Sequence, residues 1–358
     1  MALNAICPYF TMFPLRFPLG ILARAKPELG TWVLDPFSGR GTTAYAGRLL
    51  GLPSIAIDSS PVAAAITRAK LANATPADIV AAAREILDGG EPPRSVPEGE
   101  LWELAYHADV LNTICRLREG LLDDSTSDAR QALRGVILGA LHGPRPKRAD
   151  SYLSNQCQRT YAPKPRYAVG FWRARNLRPP RVSVLDVIRR RAERYYSYQR
   201  PATAIVVQAD SREAFHIGEA RVGWIVTSPP YYGLRTYLPD QWLRHWFTGG
   251  PPQVVYSAQG QLSHATPEAF ARDLRRVWCN IEHIAKPGAR MIIRFGGIAD
   301  RRAEPLGLLR SSLEGTRWRI ETIRCAGTPA AGRRQALHFS VARNSARAEH
   351  DIWVRLVD

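Results

Sequence analysis

Two regimes of apolar patterning alternate along the 358 residues. In the first, short apolar runs end at an acid or a turn and lead into stretches with helical spacing. Thr31-Trp-Val-Leu-Asp35 reads as a buried strand that runs through Pro36-Phe-Ser-Gly-Arg-Gly-Thr-Thr43 into an Ala-rich helix reaching about Leu50. Ser54-Ile-Ala-Ile-Asp58 is a second strand, followed by Pro61 and a helix over Val62 to Asn73. Strand patterns resume at Ala204 to Gln208, Val222 to Thr227 and Ala289 to Phe295. The last follows a helix from Pro267 to Ala285 that Lys286-Pro-Gly288 is expected to close. In the second regime, from about Pro76 to Arg200, helical spacing dominates over Ile79 to Leu87, Leu101 to Leu122 and Ala129 to Leu141, with Gly and Pro clusters between.

Strands alternating with helices predict an α/β fold with a parallel, Rossmann-like sheet, and the middle region predicts a mainly helical insertion. The expected division is a discontinuous domain formed by residues 1–75 and 201–358, interrupted by a helical and basic module at residues 76–200. No internal repeat or long low-complexity tract is present.

Charge changes the picture next. The chain carries 49 Lys and Arg against 32 Asp and Glu, a net charge of +17, which favours polyanionic partners and disfavours acidic ones. Cys7, Cys115, Cys157, Cys279 and Cys325 form no C-x-x-C pair, so neither a zinc site nor a disulfide framework is expected, and no metal is called for. A reducing, cytoplasmic setting fits. The stretch Ala2 to Leu22 has no positive charge before Arg16 and is interrupted by Pro8, Pro14 and Pro18, unlike a signal peptide, and no apolar run is long enough to span a bilayer.

The chemistry concentrates in two loops. In Asp35-Pro-Phe-Ser-Gly39-Arg-Gly41-Thr-Thr43, the glycines let the chain turn sharply after a strand and approach a ligand closely. Asp58, 23 residues beyond Asp35 at the end of the next strand, is placed to accept from both hydroxyls of a ribose. A nucleotide-like cofactor follows, although Gly39-x-Gly41-x-x-Ala44 taken alone also fits a dinucleotide-dependent oxidoreductase or an ordinary tight turn. The second loop, Thr227-Ser228-Pro229-Pro230-Tyr231, leaves a strand with two prolines that cannot donate and that stiffen an extended turn. Ser228 and the Pro229 carbonyl can accept bonds from an amino group, and Tyr231 offers a flat face to a base taken out of a helix. A plain surface turn is the simpler reading of the second loop alone.

Both loops together resemble the amino-directed DNA methyltransferases, whose cofactor motif is written DPFxGxGTT and whose catalytic motif is (S/D/N)PP(Y/F). The resemblance covers Phe10 to Asn73 and Ala204 to about Phe295. It implies a methyltransferase-type sheet and S-adenosylmethionine as cofactor, held by Asp35, Phe37, Gly39, Gly41, Thr42 and Thr43, with Asp58 on the ribose and Asp210 near the adenine amino group. Tyr9-Phe-Thr-Met-Phe-Pro14 is similar to the segment beside the methionine carboxylate, which adds Phe10 and Thr11. Ser228, Pro229, Pro230 and Tyr231 inherit the catalytic role. Arg40 stands where the family often has a small or polar residue.

The implied reaction is direct attack of an exocyclic amino nitrogen on the sulfonium methyl, with Ser228 and the Pro229 carbonyl accepting hydrogen bonds from the amino group and positioning carrying most of the catalysis. Transfer to carbon 5 of cytosine would need a nucleophilic cysteine, commonly just after a proline, and the sequence has no Pro-Cys pair. Serine at the head of the motif points to N4 of cytosine in double-stranded DNA. N6 of adenine and an RNA base are the alternatives, and a restriction endonuclease cutting the same site is a possible companion. Contacts to DNA are expected from residues 143–181, where ten Lys or Arg face one acid with aromatics interleaved, foremost Arg145, Lys147, Arg148, Arg159, Lys164 and Arg166. A solvated loop is the alternative there.

Overall fold

The computed structural model describes residues 2–8, 13–143, 151–157, 163–214, 217–218, 220–233, 239–256, 260–297, 303–327 and 348–358. The elements begin with α1 (Arg16–Ala25), β1 (Trp32–Asp35), α2 (Thr42–Leu50), β2 (Ser54–Asp58) and α3 (Pro61–Leu71). A helical run follows: α4 (Pro76–Asp88), α5 (Glu100–Ala105), α6 (Ala108–Asp123), α7 (Asp128–Ala140), α8 (Pro165–Ala174) and α9 (Val184–Tyr196). The remainder is β3 (Ala204–Gln208), β4 (Val222–Thr227), α10 (Trp242–Phe247), α11 (Pro267–Glu282), β5 (Ala285–Phe295), α12 (Pro305–Leu313), β6 (Trp318–Gly327) and β7 (Glu349–Leu356). Among the described residues no helix is long and apolar enough to cross a membrane, and no group of three or more His, Cys, Asp or Glu could hold a metal ion.

The chain forms two compact units. The sheet unit comprises Tyr9–Thr67, Pro201–Arg235 and Gln259–Asp358. Its seven strands lie in the order β3-β2-β1-β4-β5-β7-β6. β1 pairs in parallel with β2 and β4, β2 with β3, and β4 with β5, whereas β7 runs antiparallel to both β5 and β6. This is the Rossmann order 3-2-1-4-5-6 with one antiparallel strand slotted between the last two, the methyltransferase-type sheet expected from the motifs.

Alternate residues of each central strand feed cores on opposite faces, as the two-residue period of a strand requires. Leu34, Ile225, Met291 and Ile293 join Phe270, Leu274, Trp278 and Leu309 of α11 and α12 on one face. Val33, Val226 and Ile292 join Phe17, Ile21 and Leu22 of α1 and Ala46 of α2 on the other. α11 begins at Thr266, whose side chain accepts from Ala269 N.

β5 corrects the sequence reading. α11 ends at Glu282 and the strand starts at Ala285, so Lys286-Pro-Gly288 lies inside β5 rather than closing a helix. The ladder explains this: Val222 pairs with Ala285 but Trp224 pairs with Arg290, so the Lys-Pro-Gly segment bulges out where a proline has no ladder bond to give. Gly288 takes the left-handed φ of 72° that the bulge requires.

The helical unit comprises Met1–Pro8, Arg68–Arg200 and Thr236–Ala258. It therefore extends beyond 76–200, taking in the first residues, the end of α3 and the segment around α10. Arg244 of α10 explains part of this, because its buried guanidinium donates to the carbonyls of Leu138 and Pro8 and to Gln241 Oε1. Trp102, Tyr106, Trp242 and Trp246 form an aromatic core in the same unit, Trp102 lying 4.7 Å from Trp246 between centroids. The single helix expected over Leu101 to Leu122 is two, α5 and α6. Tyr106 is extended, and His107 caps α6 by accepting from Asp109 N through Nδ1 at 3.3 Å.

Candidate active site

β1 and β4 are neighbours whose onward connections run to opposite ends of the sheet, which makes their carboxyl ends the switch point where open α/β sheets bind ligands. Both loops singled out in the sequence leave from there. Thr227, the last residue of β4, donates through Oγ1 to Asp35 Oδ1 at 2.7 Å. Thr43, at the start of α2, donates through Oγ1 to the Val226 carbonyl at 2.8 Å. The glycine loop and the double-proline loop are thus fastened side by side by two buried hydrogen bonds.

Asp35 is fully buried and also accepts from Phe37 N at 3.1 Å. Burial pushes its carboxyl up to about 7, against the lowering effect of the Thr227 and Phe37 bonds. Its second oxygen, Oδ2, and the buried Ser38 hydroxyl have no hydrogen-bond partner among the described residues. A buried acceptor left open is costly, so two in one loop mark a place where a ligand's polar groups fit.

The two glycines differ in what they serve. Gly41 has φ 70°, and a Cβ there would lie 2.7 Å from the Thr67 side chain. Gly39 has φ 51°, and a Cβ there would meet nothing within 4 Å. The first is required by packing against α3, while the second borders open space that a Cβ would enter. Asp58, at the end of β2, accepts from Gly39 N at 2.8 Å and Ser60 N at 2.9 Å, and burial raises its carboxyl to about 6. The remaining lone pairs of that carboxylate still suit a ribose.

Asp210 follows β3 in the same neighbourhood, since Ser211 Oγ donates to the Pro36 carbonyl at 2.6 Å. Its carboxylate is already gripped by Arg212, whose Nε lies 3.0 Å from both oxygens and whose Nη1 reaches Asp273 at 2.7 Å. Burial opposes ionisation, but these bonds outweigh it and hold Asp210 below the usual carboxylate range. An adenine amino group would therefore share Asp210 with Arg212. Phe37 is half-buried, its ring edge-on to Trp278 at 6.2 Å, and Thr42 is buried in the first turn of α2. Arg40 is buried too.

Past Thr227 the chain leaves the sheet, as the β4–β5 ladder ends at Thr227 paired with Ile293. Ser228 is half-buried, Pro229 is buried and Pro230 half-buried. Tyr231 stands edge-on to Phe295 at 5.6 Å, and its hydroxyl donates to Glu349 Oε1 at 2.7 Å. Gly296 makes room for this pair, because a Cβ there would lie 3.1 Å from Glu349 Cγ and 3.4 Å from the Tyr231 ring. Gly233 N donates to His264 Nδ1 at 3.0 Å, which ties down the end of the loop.

Glu349 and His264 were not foreseen from the sequence. Glu349 opens β7, and antiparallel pairing brings that end beside the carboxyl end of β5. Nothing local in Glu349-His-Asp-Ile-Trp signals this. Phe10, Thr11, Arg145, Lys147, Arg148 and Arg159 lie outside the described residues. Lys164 and Arg166 are exposed at the start of α8, in the helical unit.

No family model and no curated protein matches the chain. Among solved structures it is similar to TrmN from Thermus thermophilus, with 11% identity and a TM-score of 0.35, covering 96% of this chain and 49% of that one. The chain thus spans about half the length of that protein. It is also similar to a protein solved in connection with conversion of a disulfide bond into a thioacetal group during echinomycin biosynthesis, at 12% identity and TM-score 0.32, covering 95% and 81% of the two chains. A third is the glycopeptide N-methyltransferase MtfA, at 9% identity and TM-score 0.29, covering 93% of each.

Proposed function

We propose that the chain is an S-adenosylmethionine-dependent methyltransferase that modifies the exocyclic N4 amino group of cytosine in double-stranded DNA. The observation that carries this reading is the joining of the two motif loops at the switch point, through Thr227 to Asp35 and Thr43 to Val226. A ligand on the glycine loop would lie against the double-proline loop.

S-adenosylmethionine, when bound, supplies a methyl group made electrophilic by its sulfonium. Asp35, Ser38, Thr42, Thr43 and the backbone at Gly39 and Gly41 would hold it, with Asp58 on its ribose. Ser228 Oγ and the Pro229 carbonyl would accept hydrogen bonds from the target amino group, which favours a pyramidal nitrogen with an available lone pair. Loop positions held by buried bonds keep these acceptors in place without reorganisation. Tyr231, fixed by Glu349 and Phe295, bounds the base pocket.

The net charge of +17 and the exposed Lys164 and Arg166 support nucleic acid as the partner. The deciding experiment incubates the protein with labelled cofactor and a mixture of DNA and RNA, then separates the two and analyses the digested nucleosides by mass spectrometry. N4-methylcytosine is the expected product. N6-methyladenine alone would replace the base assignment, and label entering only RNA would replace the substrate.

A further inference from the structure

We propose that the exposed face of α8 is a stacking surface for an unpaired nucleic-acid base, an inference that rests on the nucleic-acid reading above and gives it a specific site. The helix has two faces of opposite character. Ala168 and Trp172 point inward, both fully buried, and Trp172 Nε1 donates to the Gln156 carbonyl at 3.2 Å. On the other side Tyr167, 58% exposed, stacks on Phe171 with centroids 6.2 Å apart and planes at 30°. One further turn along, the Arg175 guanidinium lies 4.1 Å from the Phe171 ring centre. The spacing i, i+4, i+8 makes these one stripe, a ring, a ring and a planar cation in series, with Tyr167 at its open end.

A folded chain ordinarily buries such rings. The stripe is flanked by Gly170, exposed in mid-helix, where an added Cβ would meet nothing within 4 Å. Glycine weakens a helix relative to alanine, and packing does not demand it here, so the backbone is left open beside the rings. Charge fits the same partner. Lys164, Arg166, Arg173 and Arg175 lie on α8 or at its ends and Arg178 and Arg181 follow it in the chain, and of these only Arg173 with Glu100 and Arg181 with Asp109 make ion pairs among the described residues. Lysines and arginines at the flank bind phosphates, while rings bind the flat faces of unstacked bases.

The test uses the full chain and fluorescence anisotropy with a labelled single strand, its duplex, the same duplex carrying one unpaired base, and heparin as a polyanion without bases. The intact protein should prefer the single strand and the interrupted duplex to the perfect one. Tyr167→Ala with Phe171→Ala should lose roughly 5- to 100-fold on those two probes while the salt slope and heparin binding stay unchanged. Lys164→Ala with Arg166→Ala should instead flatten the salt slope by about one to two on every probe. Circular dichroism confirms that each variant folds. Binding by the aromatic variant within roughly twofold of the intact protein, or an equal loss on heparin, overturns the stacking role. No salt-dependent DNA binding by the intact protein would instead overturn the nucleic-acid reading itself.

Discussion

The carboxyl edge of the sheet and the outer face of α8 handle polar groups in opposite ways. At the edge, polar atoms are buried or partly buried and tied to one another: Thr227 to Asp35, Thr43 to Val226, Gly39 to Asp58 and Ser211 to Pro36. On the outer face of α8, cations and the Tyr167 ring stand in water, with Phe171 half-buried beside them. The difference follows from the tasks proposed. Chemistry on a small group gains from dipoles fixed in a water-poor site, where they cost no reorganisation. Contact with a polyanion gains from exposed charge that can displace counterions. The comparison breaks if substitutions on the two faces of α8, or at the two glycines of the loop, give the same response.

The largest effect is expected at Trp172. Truncating this fully buried ring to alanine should cost about 3–5 kcal/mol in urea unfolding. Tyr167→Ala, five residues earlier on the exposed face, should cost less than about 0.5 kcal/mol. Similar losses would mean that both faces are structural.

Next come the glycines. Gly41→Ala combines left-handed strain of about 1–2 kcal/mol with a clash against Thr67 of about 1–3 kcal/mol, so it should destabilise by about 2–5 kcal/mol. Gly39→Ala carries only the strain, about 1–2 kcal/mol, because its Cβ meets open space. It should nevertheless weaken S-adenosylmethionine binding by calorimetry about tenfold or more, each tenfold being about 1.4 kcal/mol. Undiminished affinity in Gly39→Ala would remove the loop from the cofactor site.

The buried carboxyls give a pH signature. Burial lifts Asp35 from 3.8 to about 7 and Asp58 from 3.8 to about 6. A folded-state value above the unfolded one means that the native protein holds the proton more tightly. The resulting stability is fully present below pH 3.8 and is lost as pH rises through about 6 for Asp58 and about 7 for Asp35. Asp35→Asn keeps an acceptor for Thr227 but cannot ionise. Unfolding free energies measured from pH 4.5 to 7.5 should therefore fall more steeply in the unsubstituted protein than in the variant. A cationic ligand group at Oδ2 favours the ionised form, so cofactor affinity should rise towards pH 7 only when Asp35 is present. Parallel curves would place the titrating group elsewhere.

These sites were unequally legible in the sequence. β2, β3 and β4 match the expected bounds because each is a short, mainly apolar run: β2 is largely buried, as parallel strands between two layers are, and the half-buried edge strand β3 still reads Ala-Ile-Val-Val. Asp35, Gly39, Gly41 and Asp58 could be named because a strand, a turn and a helix within one short segment set their geometry. The break at Tyr106–His107 escaped because helical spacing continues across it, and only the His107 cap marks the new start. Residues 1–8 and 236–258 join the helical unit through long-range bonds such as Arg244 to Pro8, and periodicity carries no information about those. Glu349 was hidden for the same reason: its place beside Tyr231 depends on β7 inserting antiparallel between β5 and β6.

The smallest effect, and the finest division of the edge, is expected at that Tyr231–Glu349 bond. The 2.7 Å hydrogen bond orients the ring but touches neither acceptor assigned to the amino group. Tyr231→Phe keeps the edge contact with Phe295 and leaves Glu349 partly exposed to water, so the stability loss should be about 0.5–1.5 kcal/mol. If Tyr231 only bounds the base, Tyr231→Phe should raise KM for DNA several-fold with kcat nearly unchanged, since a contact made equally in ground and transition states affects binding alone. Glu349→Gln retains an acceptor and should restore most of what Glu349→Ala loses. Ser228→Ala should behave differently, lowering kcat by about 10²–10³ with little change in KM, as expected for a group whose bond strengthens in the transition state. If Tyr231→Phe and Ser228→Ala changed kcat and KM in the same proportion, the loop would act as one unit and the separation of roles between serine and tyrosine would be lost.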